Sequence, residues 1–183
     1  RAGTIRVFGE DTAVMQISQL RDSIGVVFQD PSLFSGSIRE NISYARPDAT
    51  DEEIVEAAKK ANADKFIRGF HRGYDSLIGE RGLKLSGGQK QRIMLARALA
   101  LNPKILLLDD FTARVDGQTE QKILDNVERN YPGITLLSVT QKIASVQHYG
   151  QIILLEEGEI LASGTHEMLM ESSPEYVQIF NSQ

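Results

Sequence analysis

One run, Leu85-Ser86-Gly87-Gly88-Gln89, constrains this chain more than any other. Ser86 is a good N-cap, and Gln89 three residues on completes the S-x-x-Q form of the capping box, so a helix starts here. Gly87 and Gly88 carry no side chains, so a large anion can approach the main chain. The first-turn N–H groups of a helix lack intrahelical partners, and the dipole places about half an elementary positive charge there. A phosphate is the natural guest of such a site. The helix is followed by Ile105-Leu106-Leu107-Leu108-Asp109, four apolar residues closed by a carboxylate.

Composition narrows the class. A length of 183 residues allows one domain with a real core. The net charge of -5 gives no global attraction to nucleic acid or an anionic membrane, so no nucleic-acid partner is expected. Cysteine is absent, which excludes disulfides and thiolate metal sites. His71, His148 and His166 are scattered without metal-ligand spacing and read as structural or exposed. No apolar run approaches the roughly 18 residues of a membrane span.

Along the chain, residues 4–8 read as a strand ending at Gly9, and residues 24–28 as a buried strand that delivers Gln29. The middle is helical. Residues 37–44 form a short helix. Thr50 and Glu53 make a second capping box, with Ile54, Val55, Ala57, Ala58 and Ala61 facing inward. Asp64 caps a third helix carrying Phe66, Ile67 and Phe70. The helix after Ser86 buries Ile93, Ala96, Leu99 and Ala100 and ends before Pro103, with Lys90, Arg92 and Arg97 on a solvated face. Residues 105–108 and 134–139 read as strands covered on both faces. Between them residues 117–130 form a helix with Ile123, Leu124 and Val127 inward. A hairpin over 152–162 turns at Glu157-Gly158, and two short helices meet near Pro174. The pattern is α/β, a core sheet carrying a helical subdomain.

Taken together these segments resemble the nucleotide-binding domain of an ABC transporter. Leu85 to Gln89 matches the signature motif, continued by Lys90-Gln91-Arg92. Ile105 to Asp109 matches Walker B, Phe28-Gln29-Asp30 the Q-loop, and Gly79-Glu80-Arg81-Gly82 the X-loop of exporters. Leu33 to Ile42 is also exporter-like. The resemblance implies a P-loop NTPase (RecA-like) core sheet, formed by residues 1–30 and 102–183, with an inserted α-helical signature subdomain at 31–101. No G-x-x-x-x-G-K-[ST] occurs, since no glycine here precedes a lysine. The family's phosphate loop lies upstream of the segment resembling residues 1–9, so an N-terminally truncated domain is expected.

The resemblance also assigns chemistry. The cofactors are ATP and Mg²⁺. Asp109 is a Mg²⁺ ligand through metal-bound water, or, read without the family, a strand-end carboxylate capping the next turn. Gln29 contacts the Mg²⁺ water or the γ-phosphate. Ser86, Gly87, Gly88 and Gln89 bind the nucleotide of a partner subunit. Asp116 crosses to that partner, caps the following helix, or does both. Asp110 stands where the family has a glutamate general base, and the missing methylene withdraws its carboxylate by roughly 1 Å. Gln141 stands where the family has a histidine, and glutamine cannot become cationic. Two altered catalytic positions resemble the degenerate-site subunit of a heterodimeric ABC exporter. The implied partners are a second nucleotide-binding subunit, docked head to tail, and transmembrane coupling helices met by Glu80 and Arg81. The implied location is the cytoplasmic face of the membrane. A soluble ABC-type ATPase of DNA repair or translation, and a non-catalytic interaction module, stay open as alternatives.

Overall fold

The computed structural model describes residues 3–79, 82–111 and 115–183. The chain divides into two compact units, Arg1–Val139 and Thr140–Gln183.

In the first unit, β1 (Arg6–Val7) pairs antiparallel with β2 (Glu10–Asp11). The strand expected over residues 4–8 is therefore only two residues long. Phe8 (φ 54) and Gly9 (φ 84) reverse the chain, and positive φ at both central residues suits a two-residue hairpin. A helix not anticipated from the sequence, α1 (Ile17–Ser23), leads into β3 (Ile24–Val27). It buries none of its residues, so it carries no clear apolar stripe to read.

The helical region follows. β4 (Gly36–Ser37) opens it, then α2 (Ile38–Ser43), α3 (Asp51–Lys60) and α4 (Asp64–Arg68). A 3₁₀ turn at Gly73–Asp75 precedes β5 (Leu77–Ile78), which pairs back on β4, and α5 (Gly87–Ala100) comes next. Capping boxes start α2 (Ser37 with Glu40), α3 (Thr50 with Glu53) and α5 (Ser86 with Gln89). Asp64 does not cap α4; the N-cap is Ala63, without a side-chain bond. The Asp64 carboxylate instead accepts from the Tyr74 hydroxyl at 2.6 Å and from Arg68 Nε at 2.8 Å. Tertiary and i,i+4 partners have won the carboxylate from the helix terminus. Burial and that bond push the Tyr74 hydroxyl well above its ordinary range.

β6 (Ile105–Asp109), α6 (Gly117–Asn130) and β7 (Thr135–Val139) complete the unit as a β-α-β element. The sheet is parallel, in the order β3-β6-β7. Its inner face carries Val27, Leu106 and Leu108 into a core shared with Ile93, Leu95 and Leu99 of α5 and with Ile123, Leu124 and Val127 of α6. The sheet meets α5 closely: a Cβ on Gly25 would stand 3.1 Å from Ala98 O and 3.2 Å from Pro103 Cγ. The outer face is different. Val26 is 36%, Leu137 57% and Val139 59% exposed. The strands expected to be covered on both faces are covered on one, because the described helices bury only the inner face.

In the second unit, β8 (Ile152–Glu156) and β9 (Glu159–Gly164) form the expected hairpin, turning through Glu157 (φ 49) and Gly158 (φ 85). Thr165 caps α7 (His166–Ser172) and Ser173 caps α8 (Pro174–Asn181), with Pro174 in the first turn where its missing N–H costs nothing. Ile143, Leu169 and Tyr176 form a small core. His166 Nδ1 lies 2.9 Å from the Tyr176 hydroxyl, the structural role expected of it. Among the described residues no helix is long and apolar enough to cross a membrane.

Candidate functional site

The start of α5 has the geometry its sequence demands. Ser86 is extended (φ -65, ψ 161), its Oγ accepts from the Gln89 amide at 3.2 Å, and its own amide donates to Gln89 Oε1 at 2.9 Å. The third helical amide is thus satisfied. Those of Gly87 and Gly88 are left as first-turn donors without an intrahelical acceptor.

These amides border a cleft of about 460 Å³ that also takes in Arg92, Asp116 and Thr119. Asp116 is the N-cap of α6, with Oδ1 accepting from the Thr119 amide at 2.9 Å. That bond holds its carboxyl below the usual range, helped by the charge of Arg92. The N-termini of two 14-residue helices therefore border one cleft. The capping role of Asp116 and its place beside Ser86–Gly88 coexist. Ala113 and Arg114, which precede Val115 and Asp116 in the sequence, lie outside the described residues, as do Glu80 and Arg81 of the X-loop.

The two arginines on α5 are half-buried and hydrogen-bonded to backbone. Arg92 donates from Nε to Gly88 O at 3.2 Å and from Nη1 to Asn62 O at 3.0 Å, and its guanidinium lies 4.7 Å over Phe66. Arg97 donates to Asn41 O at 2.7 Å, Asn41 Oδ1 at 2.8 Å and Ser32 O at 3.2 Å. Burial lowers the pKa of both. The solvated-face reading holds only in part, because a guanidinium fork can satisfy backbone carbonyls while its stem packs.

The second constellation lies at the carboxyl ends of β3 and β6, the edge where parallel sheets present ligand-binding groups. Gln29 follows β3, and Asp109 ends β6 exposed to solvent. Gln29 Nε2 donates to Asp110 Oδ2 at 3.2 Å. Asp110 has φ 42, in the left-handed region that aspartate tolerates better than most residues, and its amide donates to Val139 O at 2.8 Å. Among the described residues no cluster of three or more His, Cys, Asp or Glu could chelate a metal. The donors present are hard oxygens, the Asp109 carboxylate and the Gln29 amide oxygen. These fit Mg²⁺, a cation that keeps several waters and takes one or two protein ligands beside phosphates.

A model of the ABC transporter family matches residues 1–113. The chain belongs to the ABC transporter family. It is 45% identical over 181 residues to the uncharacterized ABC transporter ATP-binding protein YknU of Bacillus subtilis, covering 99% of this chain and 31% of that protein. It is 42% identical to the putative multidrug export ATP-binding/permease protein YgaD of the same organism, over 100% of this chain and 31% of the relative. A bacterial Atm1-family ABC exporter solved with ATP bound matches with a TM-score of 0.93 and 37% identity, covering 100% of this chain and 32% of that one. The chain thus spans about a third of the length of these relatives.

Within this ABC domain the remaining expected residue, Gln141, opens the second unit, where its carbonyl accepts from Gln183 Nε2. One residue of the site escaped the sequence reading. Gln91 is 0% exposed, and its Nε2 donates to Gln29 O at 2.7 Å and, more weakly, to Phe28 O at 3.4 Å. A signal existed: Gln91 shares its helix face with Leu95 and Ala98, so a polar residue stands where the helical period calls for an apolar one.

Proposed function

We propose that this chain is the ATP-binding motor domain of an exporter, working as one of a head-to-tail pair whose closure and reopening drive substrate across a membrane. The observation that carries this reading is the placement of the Gly87 and Gly88 amides beside the N-terminus of α6 on one cleft. Unpaired amides, two helix dipoles and the Arg92 guanidinium give that cleft a positive field. In the pair, Ser86 to Gln89 complete the ATP site of the partner, and Asp116 meets the partner across the same cleft.

The chain's own site is built on Asp109, Asp110 and Gln29 of the first unit. Mg²⁺, when bound there with ATP, supplies charge neutralisation of the phosphates. Asp109 would hold the Mg²⁺ through water, and Gln29 would sense the γ-phosphate end. Asp110 would draw the proton from an attacking water, but its short side chain is held toward Gln29. Gln141 can hydrogen-bond a phosphate oxygen and cannot carry a proton away. The site therefore holds Mg-ATP and hydrolyses it slowly, and hydrolysis falls mainly to the partner's site, as in a degenerate-site subunit of a heterodimer. In this scheme residues 31–101 move as the helical subdomain against a core of residues 1–30 and 102–183. Glu80 and Arg81 meet coupling helices of membrane domains at the cytoplasmic face.

The open sheet face at Val26, Leu137 and Val139 supports a further part of the reading, that a phosphate loop and its helix come from chain outside these residues. An ATPase assay tests the scheme. The 183-residue chain alone should show no measurable turnover, whereas the full-length exporter with its partner should turn over ATP at ordinary enzymatic rates, ~1–1000 per second. Turnover at those rates by the isolated chain would overturn it.

A further inference from the structure

Gln91 is an unusual polar side chain among the described residues. Glutamine is seldom buried completely, yet Gln91 is 0% exposed. Its orientation is fixed by its surroundings: both neighbours within bonding distance are carbonyl oxygens, so only the amide nitrogen can face them. Its Oε1 is left buried with no hydrogen-bond partner. Burying an acceptor unsatisfied costs its full desolvation, a cost an apolar residue of the same size would avoid. Packing alone therefore does not account for glutamine here.

What the side chain reaches is informative. Its two acceptors belong to Phe28 and Gln29, the residues that follow β3, and Gln29 in turn holds Asp110 through Nε2 at 3.2 Å. Gln91 itself lies two residues beyond Gln89, in the first turns of α5. Two hydrogen bonds, joined through the covalent frame of Gln29, thus link the Gln91 amide on the signature helix to the Asp110 carboxylate. The orphaned oxygen makes this arrangement easy to release, because a shift of α5 that admits water to Oε1 recovers part of its cost.

We propose, resting on the function given above, that Gln91 is a positioning residue that couples the two ATP sites of the dimer. A nucleotide gripped at Ser86–Gln89 pulls on the first turns of α5, and Gln91 passes that displacement to Gln29 and Asp110 in the chain's own site. Coupling of this kind is reciprocal, so nucleotide at Asp109–Asp110 also tightens the grip of the signature on the partner's nucleotide.

The test is the ATP dependence of hydrolysis by the full-length exporter with its partner, for the wild type, Gln91→Met and Gln91→Asn. Methionine keeps the volume without an amide, and asparagine keeps the amide but withdraws it. The wild type should respond cooperatively to ATP. Both variants should lose that cooperativity, with a Hill coefficient near one and half-saturation raised about five-fold or more. The melting temperature of Gln91→Met should change little, since removing the orphan oxygen offsets the loss of the donor to Gln29 O. Unchanged cooperativity and half-saturation in both folded variants would overturn the proposal. So would failure of both variants to fold, which would make Gln91 a structural residue only. A wild-type exporter with no ATP turnover would instead remove the functional reading on which the proposal stands.

Discussion

Gln29 Nε2 and Asp110 Oδ2 lie 3.2 Å apart, a hydrogen bond that joins the end of one parallel strand to the residue after its neighbour. In the proposed site the bond ties the residue expected to sense the γ-phosphate to the position expected of the general base. It also consumes one oxygen of a carboxylate already one methylene short of the family's glutamate.

In the proposed scheme, substituting Asp110→Glu together with Gln141→His in the full-length protein should therefore raise hydrolysis at this site, by up to about a hundredfold. Asp110→Glu alone should give a smaller gain and lose up to about 1–2 kcal/mol of stability, because φ 42 suits glutamate less well than aspartate. Single-site turnover, read with the partner's site inactivated, checks this. No change in the double variant would show that side-chain reach is not what limits the rate.

Gly25→Ala should destabilise the domain. Its Cβ would meet Ala98 O at 3.1 Å, Pro103 Cγ at 3.2 Å and Ala98 Cβ at 3.3 Å, so strand or helix must give by a few tenths of an ångström. Overpacking of this kind costs about 1–3 kcal/mol. Thermal unfolding of the full-length protein measures it, and an unaltered melting temperature would mean that strand and helix separate freely.

Acid should weaken the helix starts before it affects the sheet. Glu40 and Glu53 titrate below their ordinary value of 4.5, chiefly through the backbone N–H bonds of Ser37 and Thr50, and Asp116 below 3.8 through that of Thr119. A carboxyl with a depressed folded pKa stabilises fully above its unfolded pKa and loses that contribution as pH falls through the folded one. Helicity by circular dichroism should hold from neutral pH to about pH 5 and decline below the ordinary carboxylate range. Glu40→Gln and Glu53→Gln should flatten that decline. An acid transition that these variants leave unmoved would assign it to other groups.

The parts legible in the sequence are those with local causes. The Thr50–Glu53 and Ser86–Gln89 boxes form because each needs only a residue and its third neighbour. The hairpin at Glu157-Gly158 and the break at Pro174 are local in the same way. Asp64 shows where this ends: its sequence position suits a cap, but Tyr74 ten residues on takes the carboxylate. The apolar runs at 105–108 and 134–139 specify strands without specifying what lies on each face. Arg92, Arg97 and Gln91 were misjudged or missed because their acceptors lie 30 to 65 residues away along the chain for Asn62, Asn41, Ser32, Phe28 and Gln29.

The proposed grip of the signature on a partner's nucleotide is tested most directly by the structure of the ATP-loaded, closed dimer of the full-length protein. The expected result places the Gly87 and Gly88 amides within hydrogen-bonding distance, about 3 Å, of the γ-phosphate bound to the opposite subunit, with Ser86 beside them. Amides of α5 directed away from any nucleotide, in a dimer that is closed and occupied, would contradict it.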